Sequence, residues 1–175
     1  MIGQRNRNRY QTGTGLTARP ILTLNVVFSE VIGGRLEDSF GLYEELVSGI
    51  AEPSLAAKLP GLPSNALGAQ LWCVVGARES FARAIEAGQW SGFSCSLSAA
   101  GTRERVAVAA ALSTSAATVR AAVAGLDPLD DARCRLALRL LEHEAAHHGQ
   151  LIRYLYALRL PIPARWKERY ALEST

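Results

Sequence analysis

A chain of 175 residues is long enough for one domain with a substantial core and too short to make a second one expected. It carries 19 Lys and Arg against 16 Asp and Glu, a net charge of +3, but Arg5, Arg7, Arg9 and Arg19 all fall before Pro20 in a stretch without an acid; beyond them 15 basic residues face the same 16 acids, a balance of −1. The basic character therefore belongs to a tail, which argues against a phosphate-binding stripe and a nucleic-acid partner, and three cysteines without CxxC spacing argue against a disulfide scaffold or zinc ribbon and for a reducing, cytoplasmic setting.

Residues 1–20, rich in Arg, Asn, Gly and Thr, offer too little apolar surface to offset the entropy of ordering and are expected to form a flexible extension ahead of one domain, 21–175. No continuous apolar segment follows the early arginines, so no secretory signal is expected. From Leu22 to Val47 the apolar residues Val26, Val27, Val31, Ile32, Leu36, Phe40, Leu42, Tyr43 and Leu46 recur at three- and four-residue spacing and predict a long helix, with Gly33 and Gly34 as the place for a bend or break. Pro53, Pro60, Gly61 and Pro63 mark a turn-rich connection, after which Ser64 or Asn65 is expected to cap a second helix ending at Ala87 before Gly88.

Gln89 to Gly101, with Gly92, Ser94, Ser96 and Ser98, reads as a loop. A third, alanine-rich helix is predicted over 102–124. Its apolar run from Val106 to Val119 is interrupted by Ser113, Thr114, Ser115 and Thr118 and falls short of the roughly 20 residues a bilayer requires, so no membrane partner is expected. Asp130 and Asp131 place negative charge at the start of a fourth helix, its favourable end, and Pro161 and Pro163 stop that helix after about Leu158. Four long amphipathic segments without an alternating strand pattern predict an all-α fold, an up-and-down four-helix bundle.

The chemistry concentrates in Leu141-Glu142-His143-Glu144-Ala145-Ala146-His147-His148-Gly149-Gln150. His143 and His147 are four apart, so on a helix both imidazoles project from one face and can converge on a metal ion. Leu136, Leu140, Gln150, Leu151 and Tyr154 share that face, which places the pair inside the fold; His148, turned about 100° from His147, is expected to be exposed. The plainer alternative is a pair of core histidines with ordinary hydrogen-bond partners. The run also matches H-E-x-x-H, which would make Glu144 the general base of a zinc metalloprotease. Such a protease needs a third ligand, for which Glu168 lies beyond the proline stop, and a cleft for an extended peptide, commonly against an edge strand; no strand is legible here.

The segment from His143 through Gln150 to Pro161, Ile162, Pro163 and Trp166 resembles the last helix and tail of DinB-like (YfiT-like) proteins, whose H-x-x-x-H pair is followed closely by Gly-Gln. In that superfamily, which includes mycothiol- and bacillithiol-dependent transferases and a maleylpyruvate isomerase, a third histidine ligand sits on the second helix. The matching stretch is Leu71-Trp72-Cys73-Val74-Val75-Gly76-Ala77-Arg78-Glu79-Ser80, which puts Cys73 in that histidine's place. A thiolate is a competent zinc ligand, and a small buried residue among Ala69, Gly76, Ala77 and Ser80 is the plainer reading of the same cysteine. The resemblance covers about half of the chain.

With the spacing of the two histidines it points to a metal site of Cys73, His143 and His147, or to one whose third ligand is lost, holding a divalent cation, zinc ahead of nickel or manganese; Glu144 and His148 are the candidates for moving protons. It implies too a thiol transferase or hydrolase acting on a small-molecule substrate with a low-molecular-weight thiol as cosubstrate, and a homodimer. The competing expectation is a non-catalytic helical interaction module with a degenerate or structural site. Cys95 is a loop thiol without an activating partner; Arg78 and Glu79 could form a polar network beside the site, but exposed helix charges are the commoner explanation; Trp72, Trp90 and Trp166 read as packing residues, Trp166 folding back after Pro163.

Overall fold

Helical periodicity in the sequence becomes helix throughout. The computed structural model describes residues 19–173, with side chains from Phe28 onward, and every element among these residues is helical. Four long helices, α1 (Arg19–Gly49), α2 (Leu67–Ala87), α3 (Arg105–Ala124) and α4 (Asp131–Ala157), precede a short α5 (Ala164–Tyr170), with 3-10 turns at Glu52–Ala56 and Gly101–Arg103. α2 packs on α3 and α4, and α1 on α3, α4 and α5. Residues 1–18 of the expected extension lie outside the described residues.

α1 runs without a break through Gly33 and Gly34, because Ile32 and Leu36 on either side are buried and anchor both turns. The capping expectation for α2 fails. Ala66 occupies the cap position with no side-chain bond, and the Ser64 hydroxyl instead accepts the Leu59 N–H at 2.8 Å, closing the preceding turn. At the other end Gly88 takes φ 71°, the left-handed conformation that lets its N–H reach the Ala84 and Ile85 carbonyls. α4 starts as expected: Asp130 caps it, accepting from Arg133 N.

Small residues on α2 set how closely the rest of the chain approaches it. A Cβ on Gly68 would stand 2.0 Å from the Thr102 carbonyl oxygen and 3.2 Å from that of Leu55, both backbone atoms that cannot swing aside. Gly68→Ala is therefore expected to lower unfolding free energy by about 1–3 kcal/mol, the usual result of overpacking, read as an earlier urea midpoint at unchanged slope. Gly76 accommodates the ring of Phe93, and the loop 89–100 is tied to α2 further by Trp72 Nε1 donating to Leu97 O at 2.9 Å and by Ser96 N donating to Glu79 at 2.8 Å. Glu79 thus fastens a loop instead of standing free in solvent.

α3 is long and apolar enough to cross a membrane by length and composition, more so than its interrupted centre suggests. Part of that apolarity serves the core: Val108, Leu112, Ala116, Val119 and Val123 are buried. After Pro163 the expected tail forms α5, whose Trp166 is fully buried, donates to Leu42 O at 2.8 Å and packs edge-on to Tyr43. Trp90, by contrast, remains half exposed against Phe81.

The core has two apolar clusters. One contains Leu71, Val75 and Leu151, the other Phe40, Ala82 and Leu140. Between Val75 and Ala82 on α2 stands Arg78, and between Leu140 and Leu151 on α4 stand Glu144, His147 and His148, so the polar side chains occupy the junction of the two clusters. That junction is where the candidate site forms.

Candidate metal centre

Cys73 on α2 and His143 and His147 on α4 come together across the packed helices: one ligand-capable atom from each lies within 4.8 Å of the others. Cys73 Sγ is 3.7 Å from His143 Nε2, and the two imidazole centroids are 4.5 Å apart. The i, i+4 spacing puts both rings on one face of α4, and the contact between α2 and α4 delivers the sulfur.

The donor set fits a divalent cation on two counts. Sulfur and imidazole nitrogen are zinc's ordinary protein donors, and small side-chain rotations would bring all three onto an ion with bonds of about 2.0–2.3 Å. Secondly, His143 Nδ1 and His147 Nδ1 are the only buried side-chain nitrogen or oxygen atoms among the described residues that lack a hydrogen-bond partner. Buried polar atoms are nearly always satisfied, so two orphans on neighbouring rings are unusual; in His143 the nitrogen facing the sulfur is Nε2, and its orphaned Nδ1 would meet the same ion only with the ring turned over.

Electrostatics leave these rings neutral. Burial lowers the pKa of His143, and burial together with the neighbouring His143 lowers that of His147 to about 4. Imidazole lone pairs are therefore available to a cation at neutral pH, whereas burial pushes the Cys73 thiol up, so that without a cation it keeps its proton. Cys73 and His147 also line an open cavity of about 470 Å³ between α2, α4 and the 59–65 connection.

Beside the cluster lies a buried polar network. Glu144 is fully buried and receives a bidentate ion pair from Arg78, with Nε to Oε1 and Nη2 to Oε2 both 2.8 Å. Ser39 donates a third hydrogen bond to Oε2. The Arg78 guanidinium lies over the rings of Phe40 and Tyr43, 4.4 and 4.9 Å from their centroids, and also donates to Leu112 O. Burial alone would raise the Glu144 carboxyl; the charge and hydrogen bonds of Arg78, with that of Ser39, hold it below its ordinary value.

His148 closes the network. It is buried, with Nε2 3.0 Å from Ser39 Oγ and Nδ1 2.6 Å from Tyr170 Oη. Since Ser39 gives its one proton to Glu144, the consistent assignment has His148 Nε2–H donating to Ser39 and the Tyr170 hydroxyl donating to Nδ1. That requires a neutral ring, in keeping with burial lowering its pKa to about 4. Ser39→Ala would strip one bond from each of two buried groups, and a loss of about 1–3 kcal/mol is expected, as for any buried polar group left unpaired. Thermal denaturation of the variant checks this.

The sequence expectations divide accordingly. Cys73, His143 and His147 are brought together. His148 corrects the expectation of exposure: its direction, away from the cluster, faces α1 and α5 instead of solvent. Arg78 corrects the commoner reading as a surface charge and fits the alternative of a polar network beside the site, being buried against Glu144. Glu144 and His148, anticipated as proton carriers, sit in the network against Ser39 of α1, and neither lines the cavity. Cys95 stays apart, its Sγ donating to Trp72 O at 3.4 Å, and Glu168 lies exposed on α5.

Ser39, Tyr43 and Tyr170 were not singled out for chemistry; each joins its partner across 22 residues or more. Compared with protein-family models, curated proteins and solved structures, the chain finds no match.

Proposed function

We propose that the chain is a metal-dependent enzyme of the DinB-like superfamily, its four long helices an up-and-down bundle, acting as a thiol S-transferase or hydrolase on a small molecule. The observation that carries this reading is the convergence of Cys73, His143 and His147 beside an open cavity. A sulfur and two imidazoles favour zinc over harder cations. Three protein donors leave a four-coordinate ion one position for a ligand from the cavity, and a divalent cation so held lowers the pKa of a bound thiol or water.

The chain's own residues supply the rest. Burial keeps His143 and His147 neutral and fixed, and Arg78 with Ser39 locks Glu144, one residue beyond His143, so that the α4 backbone carrying both imidazoles cannot rotate freely. The same lock argues against a metalloprotease. The Glu144 carboxylate is fully buried and already accepts three hydrogen bonds, so it is not free to take a proton from a water in the cavity. A homodimer in the cytoplasm completes the proposal.

The test is turnover. The untagged chain, loaded with zinc and given cysteine with 1-chloro-2,4-dinitrobenzene, is expected to accelerate formation of the thioether and release of chloride, and His143→Ala to abolish the acceleration. Bound zinc with no acceleration for this or other small thiols, and no ester hydrolysis, would make the site structural and the chain a helical interaction module.

A further inference from the structure

The cavity beside the cluster carries its own recognition chemistry. Besides Cys73 and His147 it is lined by Gln70 on α2 and by Gln150 and Arg153 on α4. None of these three side chains has a hydrogen-bond or ion-pair partner among the described residues. Among the described residues Arg153 is the one charged residue lining the cavity, and no carboxylate lines it. A guanidinium fork and two carboxamides, all with free donors and turned to one space, suit a planar oxyanion. One positive charge beside neutral amides balances the single charge of a carboxylate better than the double charge of a phosphate.

Position sets the size. Arg153 follows His147 by six residues, about 9 Å along the helix axis, a gap that a molecule of a few carbons spans. We infer that the cavity binds a small carboxylate, its carboxyl group on Arg153 and the Gln70 and Gln150 amides and its other end at the Cys73, His143 and His147 cluster. The orientation toward the cluster rests on the metal reading above. The anion site does not.

Two titrations on the full chain separate these claims. With cobalt bound, 3-mercaptopropionate is expected to develop the thiolate-to-cobalt absorption at about tenfold lower concentration than 3-mercaptopropionamide, the size of one charge-assisted hydrogen bond. Arg153→Gln, a change at an exposed position, is expected to erase that preference while leaving the amide's affinity unchanged. On the metal-free chain, propionate and not propionamide is expected to shift the amide resonances of Gln70 and Gln150. Equal binding of acid and amide in both titrations, or a preference that survives Arg153→Gln, overturns the inference. A chain that takes up no cobalt yet shows the propionate shifts refutes the metal reading and the orientation and upholds the anion site.

Discussion

Replacing Arg78 with methionine is expected to destabilise the fold by about 3–5 kcal/mol, the cost of leaving a buried charge without its partner. Arg78 and Glu144 are 1% and 0% exposed, so no solvent screens the pair. Methionine keeps much of the apolar stem against Phe40 and Tyr43 but leaves the Glu144 carboxylate with only Ser39 for a side-chain donor. Against a typical total of about 5–15 kcal/mol, that loss could unfold much of the population at physiological temperature.

The double variant Arg78→Met with Glu144→Leu is expected to recover most of the loss, since two well-packed apolar residues commonly equal or exceed a buried ion pair. Urea denaturation of the single and double variants checks both statements; equal losses in the two would show that shape, not charge, holds the junction together.

The pair also sets a pH dependence. Its carboxyl has a folded pKa below the 4.5 of a free glutamate, so the stabilisation is complete above about pH 4.5 and disappears as pH falls through the folded value. The gap in stability between the native chain and the double variant, which has no carboxyl at this position, is therefore expected to move against the native chain in acid. At neutral pH it should be constant.

How much of this was legible in the sequence depended on how far apart the partners lie. His143 and His147 could be read directly, because helical geometry relates residues four apart without knowledge of the fold. The four long helices were legible for the same reason. Cys73 came only through a family resemblance, since the contact between α2 and α4 that brings its sulfur to His143 spans 70 residues.

Arg78 can be read from the sequence as a possible member of a polar network, but its partner cannot, and nothing marks Ser39 or Tyr170 as members. Their partners are 66, 105 and 22 residues away, and an arginine on a helix reads as a solvated charge until its neighbours are known. His148 reads as exposed because the sequence does not show that α5 covers a second face of α4. A helix covered on two sides buries two faces, and Trp166 and Tyr170 turn the second face of α4 inward. Ser64 misled in a smaller way: its hydroxyl was already committed to Leu59 N, so the cap it could have made on α2 never forms.

The second large effect concerns the cluster. A cation that binds the folded chain alone stabilises it by about 4 kcal/mol when present at a thousand times its dissociation constant, so zinc is expected to raise the melting temperature markedly and a chelator to reverse it. Removing a direct ligand by His143→Ala or His147→Ala should weaken zinc by more than the roughly 10–100-fold that follows loss of an outer partner. Cys73→Ser should weaken it too, since a hydroxyl is a poorer zinc donor than a thiolate. The rings are neutral near pH 7, so this affinity should fall in acid as protons compete for the donor atoms.

The most direct measurement is the zinc content of the untagged protein after equilibration with zinc and removal of the excess, made on the native chain and on Cys73→Ser and His147→Ala. About one zinc per chain, lost in both variants while each keeps its helical circular dichroism, is the predicted result. No retained zinc in the native chain, or the same content in all three proteins, would contradict a metal centre built from Cys73, His143 and His147.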